Sequence, residues 1–423
     1  MYLNEILAAQ KHDEARGITS VCSAHPYVLK ETLKVSKTFR VFPLVEATCN
    51  QVNQFGGYTG MTPKDFVAYV RSISDEVNFP FADILLGGDH LGPNVWQNEP
   101  AESAMQKSEE LIRDYVQAGF TKIHLDCSMR LADDPQGVLD VQLTAKRTAR
   151  LAAIAEQFDN QNLRYIIGTE VPVPGGAVGH EEGVSVTKIE DVQQTIEVTR
   201  EAFLRAGLTG AWTRVVGVVV QPGVEFGDDF VIPYQPEAAR ELSRFIESHS
   251  LVYEAHSTDY QTRTALKNLV RDHFAILKVG PALTFAFRDA IFALAMIESE
   301  LVTKAESSHI VQVLEDVMTK YPQHWLKYYY GTEEQLAFKR KFSLSDRMRY
   351  YWVRPEVQAA LKKLFENLAK NTIPLALMRL YAPLERRGLT EKDAPFTSEG
   401  IISERISTTL MDYFSACSDL IQK

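Results

Sequence analysis

The chain has 423 residues, of which 45% are hydrophobic and 24% are charged, and its formal net charge is −10 at pH 7. This composition is ordinary for a globular protein that can bury a sizeable core. The negative balance argues against a nucleic-acid partner, which requires a basic face, and against an anionic membrane surface as a partner.

Cysteine usage and the N-terminal segment indicate the cellular compartment. The four cysteines form no Cys-x-x-Cys pair and are too few for a disulfide framework in a chain of this length. Residues 1–7 have the spacing of an amphipathic helix and lack the basic and apolar regions of a signal peptide. No apolar run reaches the length of about 18 residues that a membrane span requires. We therefore expect a cytoplasmic protein without a membrane segment.

Short apolar segments in the first two thirds of the chain predict eight β-strands. Most are almost continuously apolar, which is typical of strands that are covered on both faces in a parallel sheet. The predicted strands are Gly17–Cys22, Phe42–Glu46, Asp83–Gly87, Lys122–Asp126, Arg164–Gly168, Val215–Val220, Leu251–Glu254 and Ala275–Val279.

Segments with helical spacing lie between these strands, and three of them begin near a proline, which is favoured in the first turn. Strands that alternate with helices predict an α/β fold, a (β/α)8 TIM barrel, in residues 1–300. An open doubly wound sheet is the alternative, but it normally has about five or six strands. The predicted helices are Pro26–Lys37, Pro63–Val77, Ala101–Ala118, Val138–Phe158, Lys188–Ala206, Pro236–Glu247 and Gln261–Asp272.

Residues 301–423 differ in character, because they are helical in pattern and rich in aromatic residues. We predict a helical extension packed on the barrel. Its aromatic side chains either form the core of the extension or reach the mouth of an active site or a partner. They include Tyr321, Trp325, Tyr328, Tyr329, Tyr330, Tyr350, Tyr351 and Trp352.

Polar or ionisable residues follow every predicted strand, whereas the strand interiors are almost free of them. In a barrel enzyme the catalytic groups come from the carboxyl ends of several strands, so the pattern predicts an active site there. In strand order these residues are Ser23 and His25; Glu46, Asn50, Gln51 and Asn53; Asp89 and His90; His124, Asp126 and Ser128; Glu170; Gln221 and Glu225; Glu254, His256, Ser257 and Asp259; Lys278 and Gly280.

The strand ends also offer ligands for a divalent ion. His90 and His256, together with the acids Glu46, Asp126 and Glu170, form a mixed imidazole and carboxylate set that suits Zn²⁺, Mn²⁺, Ni²⁺ or Co²⁺. Hydrogen-bonded histidines without a metal are the alternative. Glycine-rich segments, which either bind an oxyanion or form tight turns, occur at 56–60, 175–176 and 279–284.

Ten longer motifs resemble the Z-subunit family of tagatose-1,6-bisphosphate aldolase, and they span nearly the whole chain. The motifs are Val21–Pro26, Glu46–Val52, Gln54–Pro63, Gly87–Asn94, His124–Ser128, Gly168–Gly176, Gln221–Phe226, Glu254–Tyr260, Leu277–Phe285 and Asp346–Trp352. The resemblance implies a barrel related to class II aldolases. It also implies either a non-catalytic partner of a class II aldolase subunit or a metal-dependent ketohexose 4-epimerase. An older label describes the family as a tagatose-6-phosphate kinase, but this sequence contains no nucleotide-binding motif of a kinase.

The more distant class II aldolase pattern implies roles for individual residues. Its acid/base next to a metal ligand matches Asp89 and His90, and its last metal histidine matches His256. Its acid before a Gly-Gly loop matches Glu170. The histidine expected after the sixth strand is absent, and Glu170 or Gln221 is expected to fill that position.

The predicted function is metal-dependent retro-aldol/aldol chemistry that inverts C4 of a ketohexose, interconverting fructose and tagatose or their 6-phosphates. The alternative is a non-catalytic subunit that stabilises the catalytic subunit of tagatose-1,6-bisphosphate aldolase. A homo-oligomer is expected. The predicted acid/base residues are Asp89, Asp126 and Glu170, the metal ligands are His90, His256, Glu170 and Gln221, and the substrate-binding residues are His25, Glu46, Asn50, Ser257, Thr258, Asp259, Lys278 and Gly280. A phosphate is expected near Ser257, Thr258 and Gly280.

Overall fold

Eight parallel strands close into a barrel in the computed structural model, which describes residues 2–137, 139–158, 160–168 and 184–418. The predicted TIM barrel is confirmed, and each predicted strand is present. The barrel strands are β1 (Ile18–Cys22), β2 (Leu44–Thr48), β3 (Leu85–Leu91), β4 (Lys122–Leu125), β5 (Arg164–Ile167), β6 (Val215–Val219), β9 (Val252–Ala255) and β10 (Ile276–Val279). A small antiparallel hairpin, β7 (Glu225–Phe226) and β8 (Val231–Ile232), lies between β6 and β9.

Helices surround the barrel at the predicted places. A capping box begins α3, because the Thr62 side chain accepts from the Asp65 N–H while the Asp65 side chain accepts from the Thr62 N–H. The helices of this part are α1 (Tyr2–Gln10), α2 (Pro26–Phe39), α3 (Pro63–Glu76), α4 (Ala101–Ala118), α5 (Val141–Ala155), α6 (Ile189–Arg205), α7 (Thr209–Trp212), α8 (Pro236–Glu247), α9 (Arg263–Arg271) and α10 (Pro281–Leu301).

The interior of the barrel contains charged side chains, so the prediction that strand interiors are almost free of them is wrong. Lys122, at the start of β4, is fully buried, and its Nζ lies 2.6 Å from Glu46 Oε1 and 2.6 Å from Glu254 Oε2. Buried charges persist only when opposite charges meet. Gly87 leaves room for the carboxylate of Glu46, because a Cβ at position 87 would lie 2.7 Å from Glu46 Oε1.

In the described part of the C-terminal region, six α-helices follow the barrel. The last of them, α16, returns to the barrel, where the Gly17 N–H donates to the Cys417 oxygen at 2.9 Å and the Tyr413 hydroxyl donates to the Thr258 oxygen at 2.6 Å. One hydrophobic core includes residues of both parts, and the boundary at residue 300 stays a prediction. These helices are α11 (Ile310–Lys320), α12 (Glu333–Phe342), α13 (Pro355–Ala369), α14 (Leu375–Tyr381), α15 (Pro383–Glu391) and α16 (Ser398–Cys417).

The aromatic residues of the extension divide between the two predicted roles. Trp325, Tyr329 and Tyr351 are buried in the core, whereas Tyr350 and Trp352 line a cavity at the mouth of the barrel. Among the described helices, none combines the length and hydrophobicity needed to cross a lipid bilayer.

Candidate metal centre and ligand cavity

A cavity opens at the carboxyl ends of the strands, where the sequence predicts the active site. Its wall is completed by Phe226 of the hairpin and by Arg349, Tyr350, Trp352 and Val353 of the extension. Nine of the predicted site residues line it, namely His25, Asn50, Asp89, His90, His256, Ser257, Asp259, Lys278 and Gly280. The others take different positions: Glu46, Asp126, Thr258 and Gln221 lie outside the lining, and Glu170 lies outside the described residues together with Gly175 and Gly176.

Four buried side chains gather at the floor of this cavity. Asp89, His90, His124 and His256 each offer one ligand atom, and these atoms all lie within 4.8 Å of one another. Two predicted ligands, His90 and His256, therefore meet, and His124 joins them although the sequence placed it only among the polar strand-end residues. We call these four residues the histidine cluster.

A local distortion of β3 turns two consecutive side chains toward the cavity. Successive residues of a regular strand face opposite sides of the sheet. Here the register between β3 and β4 shifts between Gly88 and Leu91, and His90 has a φ of 48°. Left-handed backbone at a non-glycine residue costs roughly 1–3 kcal/mol and is concentrated at functional sites. The distortion lets Asp89 and His90 both join the cluster.

Each histidine of the cluster has a carboxylate partner on one ring nitrogen. His90 Nδ1 lies 2.8 Å from Asp126 Oδ2, and His256 Nε2 lies 2.9 Å from Glu254 Oε1. His124 Nδ1 lies 2.8 Å from Asp89 Oδ1. Carboxylates that hold one nitrogen of a histidine leave the other nitrogen for a metal. Asp126, predicted as an acid/base, thus orients His90 in this structure.

The histidines of the cluster differ in their electrostatics. Burial lowers the pKa of His90, but the Asp89 and Asp126 carboxylates raise it above the ordinary value. Burial lowers the pKa of His256 to about 4, so this ring is neutral at pH 7. The pKa of Asp89 is well below its usual value, because His90, Lys278 and His124 together outweigh the effect of burial. His124 Nδ1 is occupied by Asp89 Oδ1 at 2.8 Å and by the His90 N–H at 3.2 Å, which leaves Nε2 as the ring nitrogen that a ligand can use.

The residues present fit a divalent metal ion. His124 Nε2 is buried without a hydrogen-bond partner among the described residues, and such atoms cost free energy unless a ligand satisfies them. Three imidazoles with a carboxylate suit the Zn²⁺, Mn²⁺, Ni²⁺ or Co²⁺ predicted from the sequence. The cluster could therefore bind such an ion.

Lys278 connects the cluster to the interior charges. Its Nζ lies 2.8 Å from Asp89 Oδ2 and also contacts Glu46 Oε2. Burial lowers the pKa of Lys278, but the Asp89 and Glu46 carboxylates raise it well above the ordinary value. Glu46, predicted to bind substrate, is fully buried beneath the cavity, where it contacts Lys122 and Lys278. Its direct contact with a substrate stays a prediction.

The predicted phosphate position at the start of α10 holds a protein carboxylate. Asp259 Oδ1 accepts from the Gly280 and Ala282 N–H groups at 3.0 and 2.8 Å. The Thr258 hydroxyl donates to the Lys278 oxygen at 2.5 Å and lies outside the cavity lining. The N–H groups of Gly280 and Ala282, where a phosphate was predicted, therefore already bind the carboxylate of Asp259.

The side chain of Gln221 takes part in the turn after β6. Its Oε1 accepts from the N–H groups of Gly223 and Val224 at 2.9 and 3.0 Å, which fixes the turn after β6. Its assignment as a metal ligand, like that of Glu170, stays a prediction.

Two residues around the site were missed from the sequence. Lys122 had a signal, because a lysine opens an otherwise apolar strand. Arg349 lies within one of the ten motifs, but no local pattern shows that a charged residue of the extension lines the cavity.

Comparison with known proteins places the chain in a family. The family described as "D-tagatose-1,6-bisphosphate aldolase subunit GatZ/KbaZ-like" matches residues 3–418. Relatives named "D-tagatose-1,6-bisphosphate aldolase subunit GatZ" include one from Salmonella dublin, 49% identical over 98% of this chain and 99% of that protein. Another, from Salmonella heidelberg, is 50% identical over the same shares.

A solved structure is similar along almost the whole chain. The crystal structure of "a probable tagatose 6 phosphate kinase" from Sinorhizobium meliloti 1021 is 45% identical, with a TM-score of 0.88 over 95% of this chain and 100% of that chain. The chain belongs to the GatZ/KbaZ-like family of D-tagatose-1,6-bisphosphate aldolase subunits.

Proposed function

We propose that this chain is a subunit of a D-tagatose-1,6-bisphosphate aldolase and supports a separate class II aldolase subunit that performs the cleavage. The observation that carries this proposal is the end-to-end match with relatives named as such subunits, at 49–50% identity over 98% of the chain. It was the alternative prediction from the sequence, and these names favour it over the epimerase.

Co-expression with a class II tagatose-bisphosphate aldolase subunit tests this role. We expect the two chains to co-purify, and the catalytic subunit to retain more cleavage activity on tagatose 1,6-bisphosphate, and for longer, than it does alone. Two chains that elute separately, with the same activity and half-life in either case, would reject the subunit role.

A second candidate function is metal-dependent C4 epimerisation of a ketohexose or its phosphate by this chain itself. The observation that favours it is the histidine cluster, because a chain that only stabilises a partner has no need of buried, oriented imidazoles at the strand ends. His90, His124 and His256 would hold the ion, which when bound polarises a carbonyl and stabilises an enediolate.

The side chains around the cluster supply the remaining chemistry. Asp89 lines the cavity and is ionised, so it can accept the proton of the C4 hydroxyl while the C3–C4 bond breaks. After the aldehyde fragment turns over, the bond re-forms with C4 inverted, and the C4 oxygen then takes a proton from a second acid/base group, for which Asp126 or Glu170 is the candidate. Lys278, 2.8 Å from Asp89 Oδ2, holds this carboxylate in its charged form.

An assay of the purified chain alone tests the epimerase. The chain is loaded in turn with Zn²⁺, Mn²⁺, Ni²⁺ or Co²⁺ and given fructose, tagatose or their 6-phosphates. We expect interconversion with at least one metal, and its loss in Asp89→Asn. If no combination of metal and ketose gives conversion, the epimerase is rejected and the subunit role is unaffected.

A further inference from the structure

Arg349 places a guanidinium group on the wall of the cavity, although it belongs to the C-terminal extension. Its Nη1 donates to the backbone oxygens of Ser345 and Asp346 at 2.5 and 2.9 Å, and its Nη2 donates to the Tyr350 hydroxyl at 2.9 Å. These contacts use three of the five N–H groups of a guanidinium. The remaining donors have no acceptor among the described residues.

Arg349 forms no direct ion pair among the described residues, although Asp346 and Asp259 lie close enough to interact with its charge. Two described lysine or arginine side chains line the cavity, Lys278 and Arg349. Lys278 is neutralised by contacts with Asp89 and Glu46, whereas no described carboxylate lies within 4.0 Å of the Arg349 guanidinium. The wall at Arg349 therefore offers positive charge to a bound molecule.

Arg347 strengthens the positive potential of this wall. It is buried, its Nε has no hydrogen-bond partner among the described residues, and its guanidinium carbon lies 3.4 Å from the centre of the Tyr328 ring. The neighbouring Tyr350 responds to both arginines: burial raises its pKa, but Arg349 and Arg347 lower it below the ordinary value. A buried hydroxyl that ionises more easily than usual indicates a positive environment.

The alternative anion position is already filled. The Gly280 and Ala282 N–H groups at the start of α10 bind the Asp259 carboxylate, which would repel a second anion. At the cavity floor, Asp89 repels anions in the same way. A substrate with one anionic end is therefore directed toward Arg349, with its other end toward the histidine cluster.

From this arrangement we infer that Arg349 binds the phosphate group of a ketohexose phosphate, so that the extension selects phosphorylated over free sugars. The planar guanidinium fork matches the oxygens of a phosphate in a bidentate manner, which a lysine ammonium does not. The inference rests on the proposed function in one respect, that the cavity receives a sugar of the tagatose or fructose type. A sugar acid shares the anionic chemistry and must be distinguished by experiment.

Calorimetric binding of fructose 6-phosphate, fructose and a ketohexuronate tests the inference without requiring turnover. We expect wild type to bind fructose 6-phosphate at least tenfold more tightly than fructose, and more tightly than the uronate. Arg349→Met should bring the affinity ratio of phosphorylated to free sugar close to one, and Arg349→Lys should give an intermediate ratio. Arg387→Met is the matched control, since this arginine lies on the same extension but outside the cavity lining.

Three outcomes would overturn the inference: an unchanged ratio in Arg349→Met, equal affinity of wild type for phosphorylated and free fructose, or tighter binding of the uronate. Should Arg349→Met fail to fold by circular dichroism, Arg349→Lys decides by the same ratio. Inorganic phosphate should also compete with fructose 6-phosphate on wild type while leaving fructose affinity unchanged. An Arg349-dependent preference without epimerisation or support of an aldolase subunit would reject the proposed functions and leave this inference standing.

Discussion

Glu254 Oε1 lies 2.9 Å from His256 Nε2, while the other oxygen of the same carboxylate lies 2.6 Å from the buried Lys122 Nζ. The position of a histidine in the cluster is thus tied to a lysine inside the barrel. Lys122 also lies 2.6 Å from Glu46, so one cation lies between two buried acids that come from β2 and β9.

Lys122→Met should strongly destabilise the protein. Its removal leaves Glu46 and Glu254 without their shared cation in the interior, and loss of one partner from a buried ion pair costs about 3–5 kcal/mol. Urea denaturation measures the free energy of unfolding. Lys362→Met is the control, because this side chain is 78% exposed and the change should stay within about 0.5 kcal/mol. A loss below about 1 kcal/mol for Lys122→Met would contradict the proposed charge balance.

Metal content should separate the histidine cluster from the other predicted ligands. His124→Ala and His256→Ala each remove one imidazole of the cluster, and we expect a loss of bound metal of roughly tenfold or more. Gln221→Ala should retain the metal, because its side-chain oxygen serves the turn at Gly223 and Val224. Elemental analysis of the purified proteins gives the ratio of metal to chain.

The exposed His12 provides the matched control for these variants, and His12→Ala should leave the metal content unchanged. Retained metal in His256→Ala would refute its assignment as a ligand, and retained metal in His124→Ala would refute the role inferred from its unpaired Nε2. Loss in Gln221→Ala would restore the assignment made from the sequence.

The barrel and much of the cavity lining could be predicted because they depend on local patterns. Buried parallel strands are continuous apolar runs, and polar residues directly after them collect at one end of a barrel. This rule brings His90, His256 and Lys278 into one cavity. It also predicts the cavity itself without any knowledge of how the strands pair.

The rest depends on contacts between distant segments. The burial of Lys122 is tolerated only because the barrel register brings Glu46 and Glu254 beside it, and no local pattern contains that register. Arg349 lies far along the chain from β10, so its place on the cavity wall follows from the packing of the extension. The role of His124 as a cluster member likewise depends on its contact with Asp89, from a neighbouring strand.

Gly87→Ala should destabilise the protein, because the added methyl group displaces the buried Glu46 carboxylate without changing any charge. The new Cβ would lie 2.7 Å from Glu46 Oε1 and 2.8 Å from Glu46 Cγ, so Glu46 must move away from its lysine partners. Overpacking of this kind costs about 1–3 kcal/mol. Gly210→Ala is the control, because a Cβ there meets no atom within 4 Å among the described residues. Equal stability of the two variants in urea would show that Glu46 adapts without cost.

Asp259→Asn should stabilise the protein at neutral pH and flatten its dependence on pH. Burial raises the pKa of Asp259 from its ordinary value of 3.8 to about 6, so the folded state holds this proton more tightly than the unfolded state does. The resulting stability is complete below about pH 4 and is lost as the pH rises through 6. The difference between the two pKa values, 3.8 and about 6, corresponds to roughly 3 kcal/mol in the free energy of unfolding.

Asparagine reproduces the neutral form, and its Oδ1 can still accept from the Gly280 and Ala282 N–H groups. Urea denaturation between pH 4 and 8 should therefore show a fall in wild-type stability that Asp259→Asn lacks. Asp75→Asn, at an exposed aspartate, should follow the wild-type curve. If Asp259→Asn instead loses stability at pH 7, the ionised carboxylate is the form that holds the start of α10, and the raised pKa is refuted.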